Sequence, residues 1–88
     1  MSSEQFFIVY TKPDCPYCTL AVELLNEHGK IFDVVDLLQD QKSMSYIKGR
    51  GCTTVPQVFT ATQVGRHLQR KELIGGHADL VKYFKKKN

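Results

Sequence analysis

Hydrophobic and polar positions follow two rhythms along the chain, and each predicts a kind of element. Phe6-Phe7-Ile8-Val9-Tyr10 is an unbroken β-branched and aromatic run, which predicts a buried strand broken by Thr11-Lys12-Pro13-Asp14. From Pro16 the spacing becomes helical. Tyr17, Ala21, Leu24, Leu25 and His28 fall on one face, Gly29 supplies the stop, and proline is well tolerated in a first turn. Ile31 to Leu37 predicts a second strand, interrupted by Asp33 and Asp36. Lys42 to Arg50 reads as a short helix with Met44, Tyr46 and Ile47 inward, ended by Gly51. Val55 to Phe59 predicts a strand begun through a proline, and Arg70 to Ile74 its hairpin partner, with Ala61 to Gln69 as the connection. After Gly75-Gly76 a last helix, His77 to Lys86, turns Leu80, Val81 and Phe84 inward. The lysines at 82, 85, 86 and 87 lie near the end where the helix dipole favours cations.

The predicted order is β-α-β-α-β-β-α, an α/β class. The first β-α-β unit should be a right-handed crossover between parallel strands. The hairpin should add antiparallel strands, giving a central four-stranded mixed sheet with helices on both faces. No repeat or linker divides the sequence, so residues 1–88 are expected to form a single domain. This is a thioredoxin-like architecture. It sets Cys15 at the carboxyl edge of the sheet, at the start of a helix.

Composition narrows the classes further. The chain has 88 residues, 42% of them hydrophobic, enough for one modest core and unlike a disordered segment. No apolar run approaches the roughly 20 residues of a membrane span. Met1-Ser2-Ser3-Glu4-Gln5 has no basic and apolar leader pattern. A small secreted domain would carry several cysteine pairs. Here there are three cysteines, two of them three apart, which points to a reducing, cytoplasmic setting and a chemically used pair. The net charge of +3 is too mild to imply nucleic acid, but it favours a small anionic ligand.

The pair lies in Cys15-Pro16-Tyr17-Cys18. Thiolates attack disulfides, and a helix N-terminus, with unpaired N–H groups and a positive dipole end, stabilises an anion. Lys12 adds a nearby positive charge. Exposed Cys15 should attack, and Cys18, one turn inward, should resolve the mixed disulfide; Tyr17 offers a ring beside the sulfur. A zinc site is the competing reading. It would need Cys52, His28, His67 or His77, none of which stands at ligand spacing to another, so no metal is expected. Cys52 reads most simply as a small apolar residue, with an extra modification site as the alternative.

Three separated runs resemble the glutaredoxins over nearly the whole chain. They are Tyr10-Thr11-Lys12 with Cys15-Pro16-Tyr17-Cys18, then Thr53-Thr54-Val55-Pro56-Gln57-Val58-Phe59, and Ile74-Gly75-Gly76 with Asp79-Leu80. Pro-Tyr between the cysteines is similar to the dithiol class. The resemblance implies a glutathione-disulfide oxidoreductase, with glutathione as co-substrate and no tightly bound cofactor. Its partners would be disulfide-bonded or glutathionylated proteins, with no nucleic acid and no membrane, and the chain would work as a monomer in cell redox homeostasis.

The resemblance also implies a site. Val55-Pro56 should carry a cis peptide bond. The backbone of Val55, after Thr54, would pair with the cysteinyl part of glutathione. Gly76, His77 and Ala78 would offer N–H groups to the γ-glutamyl carboxylate, and Asp79 would accept from its ammonium. Lys12 would take the glycyl carboxylate, with Gln57 or Arg50 as helpers. Two departures stand out. Ala78 replaces an acidic or hydroxyl residue found in many relatives, and Thr60 to Leu73 is longer and more basic than usual, with Arg66, His67, Arg70 and Lys71. That stretch reads as a solvated extended hairpin or a dock for acidic protein substrates. Coupling to thioredoxin reductase, or a glutathione-ligated iron–sulfur carrier, would be the alternative functions.

Overall fold

Phe6–Thr11 (β1) is the spine of the structure, a computed structural model that describes residues 5–52 and 54–86. Met1 to Glu4, Thr53, Lys87 and Asn88 lie outside the described residues. The remaining elements are α1 (Pro16–Glu27), β2 (Ile31–Asp36), α2 (Gln41–Gly49), β3 (Gln57–Val64), β4 (His67–Gly75) and α3 (His77–Lys86). The strand order is β2-β1-β3-β4, with β1 parallel to β2 and antiparallel to β3, and β3 antiparallel to β4. The expected mixed sheet and element order are both present.

Alternation along β1 divides the core. Phe7 and Val9 face one way and pack with Ala21 and Leu25 of α1, Val58 of β3, and Leu80 and Phe84 of α3. Ile8 and Tyr10 face the other way and pack with Leu37, Ile47 of α2, Phe59 and Ala61. Both faces are covered, so the strand needs no polar side, and the unbroken apolar run of the sequence is explained. Among the described residues no helix is long and apolar enough to cross a membrane.

Three readings of the sequence are corrected. The connection predicted for Ala61 to Gln69 is mostly strand: β3 runs to Val64, β4 starts at His67, and only Gly65-Arg66 turn between them. Gly65 has φ +62, the positive value that the first position of a type II′ hairpin turn requires. Thr62 and Gln63 hid the strand because this part of the hairpin is exposed on both faces and shows no hydrophobic rhythm. Tyr17 and His28 do not join the buried face of α1. The buried stripe is Cys18, Ala21 and Leu25, Tyr17 is 61% exposed, and exposed His28 stacks on Phe84 with ring centroids 4.0 Å apart. The third strand begins at Gln57, after Val55-Pro56, because proline donates nothing to a ladder.

Helix starts follow their caps. In α2 the Asp40 carboxylate accepts from the Ser43 N–H at 3.2 Å and the Ser43 hydroxyl at 3.1 Å, and this cap moves the start to Gln41. Arg70 of β4 ties the hairpin to α2. Its guanidinium donates to the Tyr10 hydroxyl at 2.6 Å and lies 3.7 Å from the centre of the Tyr46 ring.

Leu80 is fully buried where α3 meets the sheet. Replacing it, Leu80→Ala, should cost about 2–5 kcal/mol. Denaturant unfolding monitored by circular dichroism would measure this; a loss below about 1 kcal/mol would mean that the site collapses freely.

Candidate active site

The chain leaves β1 at the carboxyl edge of the sheet and turns sharply before α1. Asp14 takes φ +58, a left-handed conformation that aspartate tolerates better than most residues. Cys15 follows in an extended conformation as the N-cap of α1, with Pro16 in the first turn. The Cys15 sulfur accepts the Cys18 N–H at 3.1 Å, doing the work of a capping serine or aspartate oxygen. The Cys15 thiol also points to the Val55 carbonyl oxygen, 3.8 Å away. It is half-buried, whereas Cys18 behind it is 5% exposed.

This placement makes the two thiols unequal. Burial, then the hydrogen bond to Cys15, pushes the Cys18 pKa from an ordinary 9.0 up to about 12; the charge of Cys15 adds to this, and a backbone hydrogen bond at Lys12 opposes it. All three cysteines are free thiols. Cys18 is thus the recessed, proton-holding thiol of the pair and Cys15 the accessible one.

Two further segments meet this helix start. Val55-Pro56 is a cis peptide, and the Pro56 carbonyl oxygen lies 3.6 Å from where a Cβ on Gly76 would stand. The Gly75-Gly76 turn therefore sits against the same loop that faces Cys15. Across from them, the Tyr17 and His77 rings approach to 5.9 Å between centroids at 36°. Asp79 closes the α3 end: its carboxylate accepts the Gly76 N–H at 3.2 Å, the return half of a capping box. Gly75 is confined to its type because its φ is +125 and a Cβ there would collide with the Asp79 carboxylate. Ala78 is exposed on the first turn of α3. Cys15, Tyr17, Val55, Pro56, Gly76, His77 and Asp79 are thus gathered at one edge of the sheet from three separate parts of the chain.

Lys12 and exposed Thr54 border a neighbouring cleft of about 250 Å³, whose lining includes Met44, Ile47, Lys48, Cys52 and Val55. The two proposed helpers of Lys12 are occupied elsewhere. The Gln57 amide donates to the Thr54 carbonyl at 2.8 Å and is buried, while Arg50 donates to the Tyr46 hydroxyl at 3.2 Å and lies near the Phe59 ring. Lys48, unmarked in the sequence reading, stands in the cleft instead. It is one turn after Met44, and that i, i+4 relation to an inward residue was the available signal.

With this geometry in place, comparison with known proteins gives a consistent result. The Glutaredoxin family model matches residues 7–64, and the chain belongs to the glutaredoxin family, whose members are generally thiol–disulfide oxidoreductases. The chain is 42% identical over 76 residues to a hybrid peroxiredoxin of Haemophilus influenzae, covering 86% of this chain but 28% of that protein. It is 41% identical over 56 residues to Glutaredoxin 3 of Escherichia coli, covering 62% of this chain and 68% of the relative. The solution structure of glutaredoxin from Brucella melitensis superposes with a TM-score of 0.68 at 30% identity, covering 97% of this chain and 84% of that one. The match to glutaredoxin 1 of several Rickettsia species spans between 53% and 58% of those proteins.

Brief alkylation of the reduced chain at neutral pH should modify Cys15 and spare Cys18, as read by peptide mapping; equal labelling would contradict the burial. A raised pKa also means that the folded chain holds the Cys18 proton more tightly than the unfolded chain. That contribution to stability is complete below 9.0 and is lost as the pH climbs toward about 12. Denaturant midpoints should therefore fall faster over that window for wild type than for Cys18→Ser.

Proposed function

We propose that the chain is a glutathione-dependent dithiol oxidoreductase that reduces protein disulfides and glutathione mixed disulfides. The observation that carries this reading is the Cys15 sulfur itself. It is half-buried at the head of α1, backed by buried Cys18, and faces the Val55 carbonyl in a setting shared with the first turn of α3.

The chemistry would run in balanced exchanges. The Cys15 thiolate attacks one sulfur of the substrate disulfide, forming a mixed disulfide and releasing the other sulfur as a thiolate. With a glutathionylated protein, Cys15 takes the glutathione sulfur. A second glutathione then attacks that sulfur, giving glutathione disulfide and the Cys15 thiolate. With a protein disulfide, Cys18 gives up its proton and attacks the Cys15 sulfur, closing the Cys15–Cys18 disulfide and expelling the reduced protein. Two glutathiones then restore the dithiol. Two of the influences that keep Cys18 protonated, its hydrogen bond to Cys15 and the charge there, belong to the free Cys15 sulfur. Consumption of that sulfur in a mixed disulfide removes the charge and so lowers the hold on the Cys18 proton, although burial, the largest influence, stays.

Glutathione has a carboxylate at each end. The lysines at the cleft mouth, Lys12 and Lys48, support the glycyl carboxylate at one end. The first turn of α3, with the His77 and Ala78 N–H groups, supports the γ-glutamyl carboxylate at the other. Asp79 is exposed and has a second oxygen for the ammonium. The Val55 backbone lies between them. A reducing compartment such as the cytoplasm fits the three free thiols.

Turnover with glutathione as sole reductant decides the matter. Cys15→Ser should abolish reduction of every disulfide tested. Cys18→Ser should keep deglutathionylation of a peptide while losing dithiol reduction of a protein disulfide. Retained activity in Cys15→Ser, or no wild-type turnover with glutathione, would overturn the proposal.

A further inference from the structure

His77 contributes a side chain as well as a backbone N–H at the head of α3. The backbone that carries it is held from behind. Gly75 is wedged against the Asp79 carboxylate, the Gly76 N–H donates to that carboxylate at 3.2 Å, and the Gly76 carbonyl accepts the Leu80 N–H at 3.0 Å. His77 itself is half-buried, and its ring leaves α3 toward α1, ending 5.9 Å from the ring of Tyr17.

Tyr17, by contrast, is 61% exposed and stands beyond the buried stripe of its own helix. A phenol ring on an exposed first turn has several rotamers open to it. His77 is the one aromatic partner described for this ring. The separation lies within the 4.5–7 Å range in which ring pairs attract. Tyr17 follows Cys15 by two residues, so the position of this ring bears on how a disulfide reaches the sulfur.

We propose that His77 is a positioning residue: its ring holds the Tyr17 ring between the heads of α1 and α3, and the pair forms one wall of the approach to Cys15. The wall favours a slender, unbranched disulfide such as a glutathionyl mixed disulfide, and hinders bulky reagents. This refines the specificity of the oxidoreductase site proposed above and rests on that reading for its substrate, though not for its geometry.

The test compares wild type, His77→Ala, His77→Phe, His77→Asn, Tyr17→Leu and the His77→Ala/Tyr17→Leu double variant. For a glutathionylated peptide, His77→Ala should raise KM about three- to tenfold, the range a lost ring contact produces, acting on KM rather than kcat. His77→Phe should restore KM and His77→Asn should not. The double variant should be no worse than the worse single variant, since both remove the same contact. Independently of glutathione, the Tyr17 ring resonances in NMR spectra should shift in His77→Ala. The rate of Cys15 alkylation by a bulky fluorescein iodoacetamide, relative to plain iodoacetamide, should rise about threefold or more in the same variant. Unchanged Tyr17 resonances and alkylation ratio, additive losses in the double variant, or rescue by Asn in place of Phe would overturn the proposal. If wild type does not turn over with glutathione, the resonances and the alkylation ratio still decide the role of His77.

Discussion

A helix begins with backbone N–H groups that have no partner in the helix itself, and something must accept from them. In α1 the Cys18 N–H is shared between the Cys15 carbonyl oxygen and the Cys15 sulfur, each at 3.1 Å. A sulfur is a weaker acceptor than the oxygens usually found at a cap, but the geometry joins two requirements in one atom. The hydrogen bond that starts the helix also aims electron-poor N–H groups at the atom that will carry negative charge. Because Cys15 caps the helix, Cys18 falls one turn down on the buried stripe with Ala21 and Leu25. The depth of Cys18, and hence its hold on a proton, follows from the cap and needs no separate device.

The remainder of the site depends on β1 being buried on both faces. A strand clamped between α1 and α3 on one side and α2 on the other has a fixed end, and Cys15 starts four residues beyond that end. The loop before β3 and the head of α3 reach the same edge because β3 lies beside β1 and β4 returns antiparallel to it. Each contributes through backbone rather than through long side chains: a carbonyl at Val55 and a turn at Gly75-Gly76 pressed near the Pro56 carbonyl. Such a site is rigid where the sulfur sits, and its adjustable parts are the exposed groups around it, Tyr17, Thr54 and Ala78.

Much of this was legible in the sequence, for reasons that differ from residue to residue. Phe6 to Tyr10 could hardly be anything but a buried strand, and Pro16 after Cys15 marked a helix start. The hairpin was less legible because Thr62 and Gln63 lie on a ribbon with no core beneath it, so burial imposed no alternation there. Tyr17 matched a helical stripe by spacing, yet the stripe that packs on the sheet runs through Cys18, Ala21 and Leu25, and Tyr17 lies beside it; spacing alone does not choose between two adjacent faces. Gln57 and Arg50 carry groups suited to a carboxylate. Only the folded chain shows the first bonded to the Thr54 carbonyl and the second to the Tyr46 hydroxyl. Lys48 gained its place for the opposite reason, since its helix turns it toward the cleft.

The long hairpin has a mechanical meaning of its own. Pairing between β1 and β3 ends where Ala61 meets Phe6, whereas β3 and β4 continue to pair as far as Val64 and His67. The last turns of the ribbon are therefore a two-stranded arm outside the three-strand region, and an isolated pair of strands is marginal in water. Arg70, gripped by Tyr10 and Tyr46, stands at its root. Opening fluctuations that start at Gly65 should thus stop at that arginine. Amide protons of the arm would exchange with solvent many times for each opening that reaches Phe59, and length or sequence can vary at the tip while the helix heads around Cys15 stay in register.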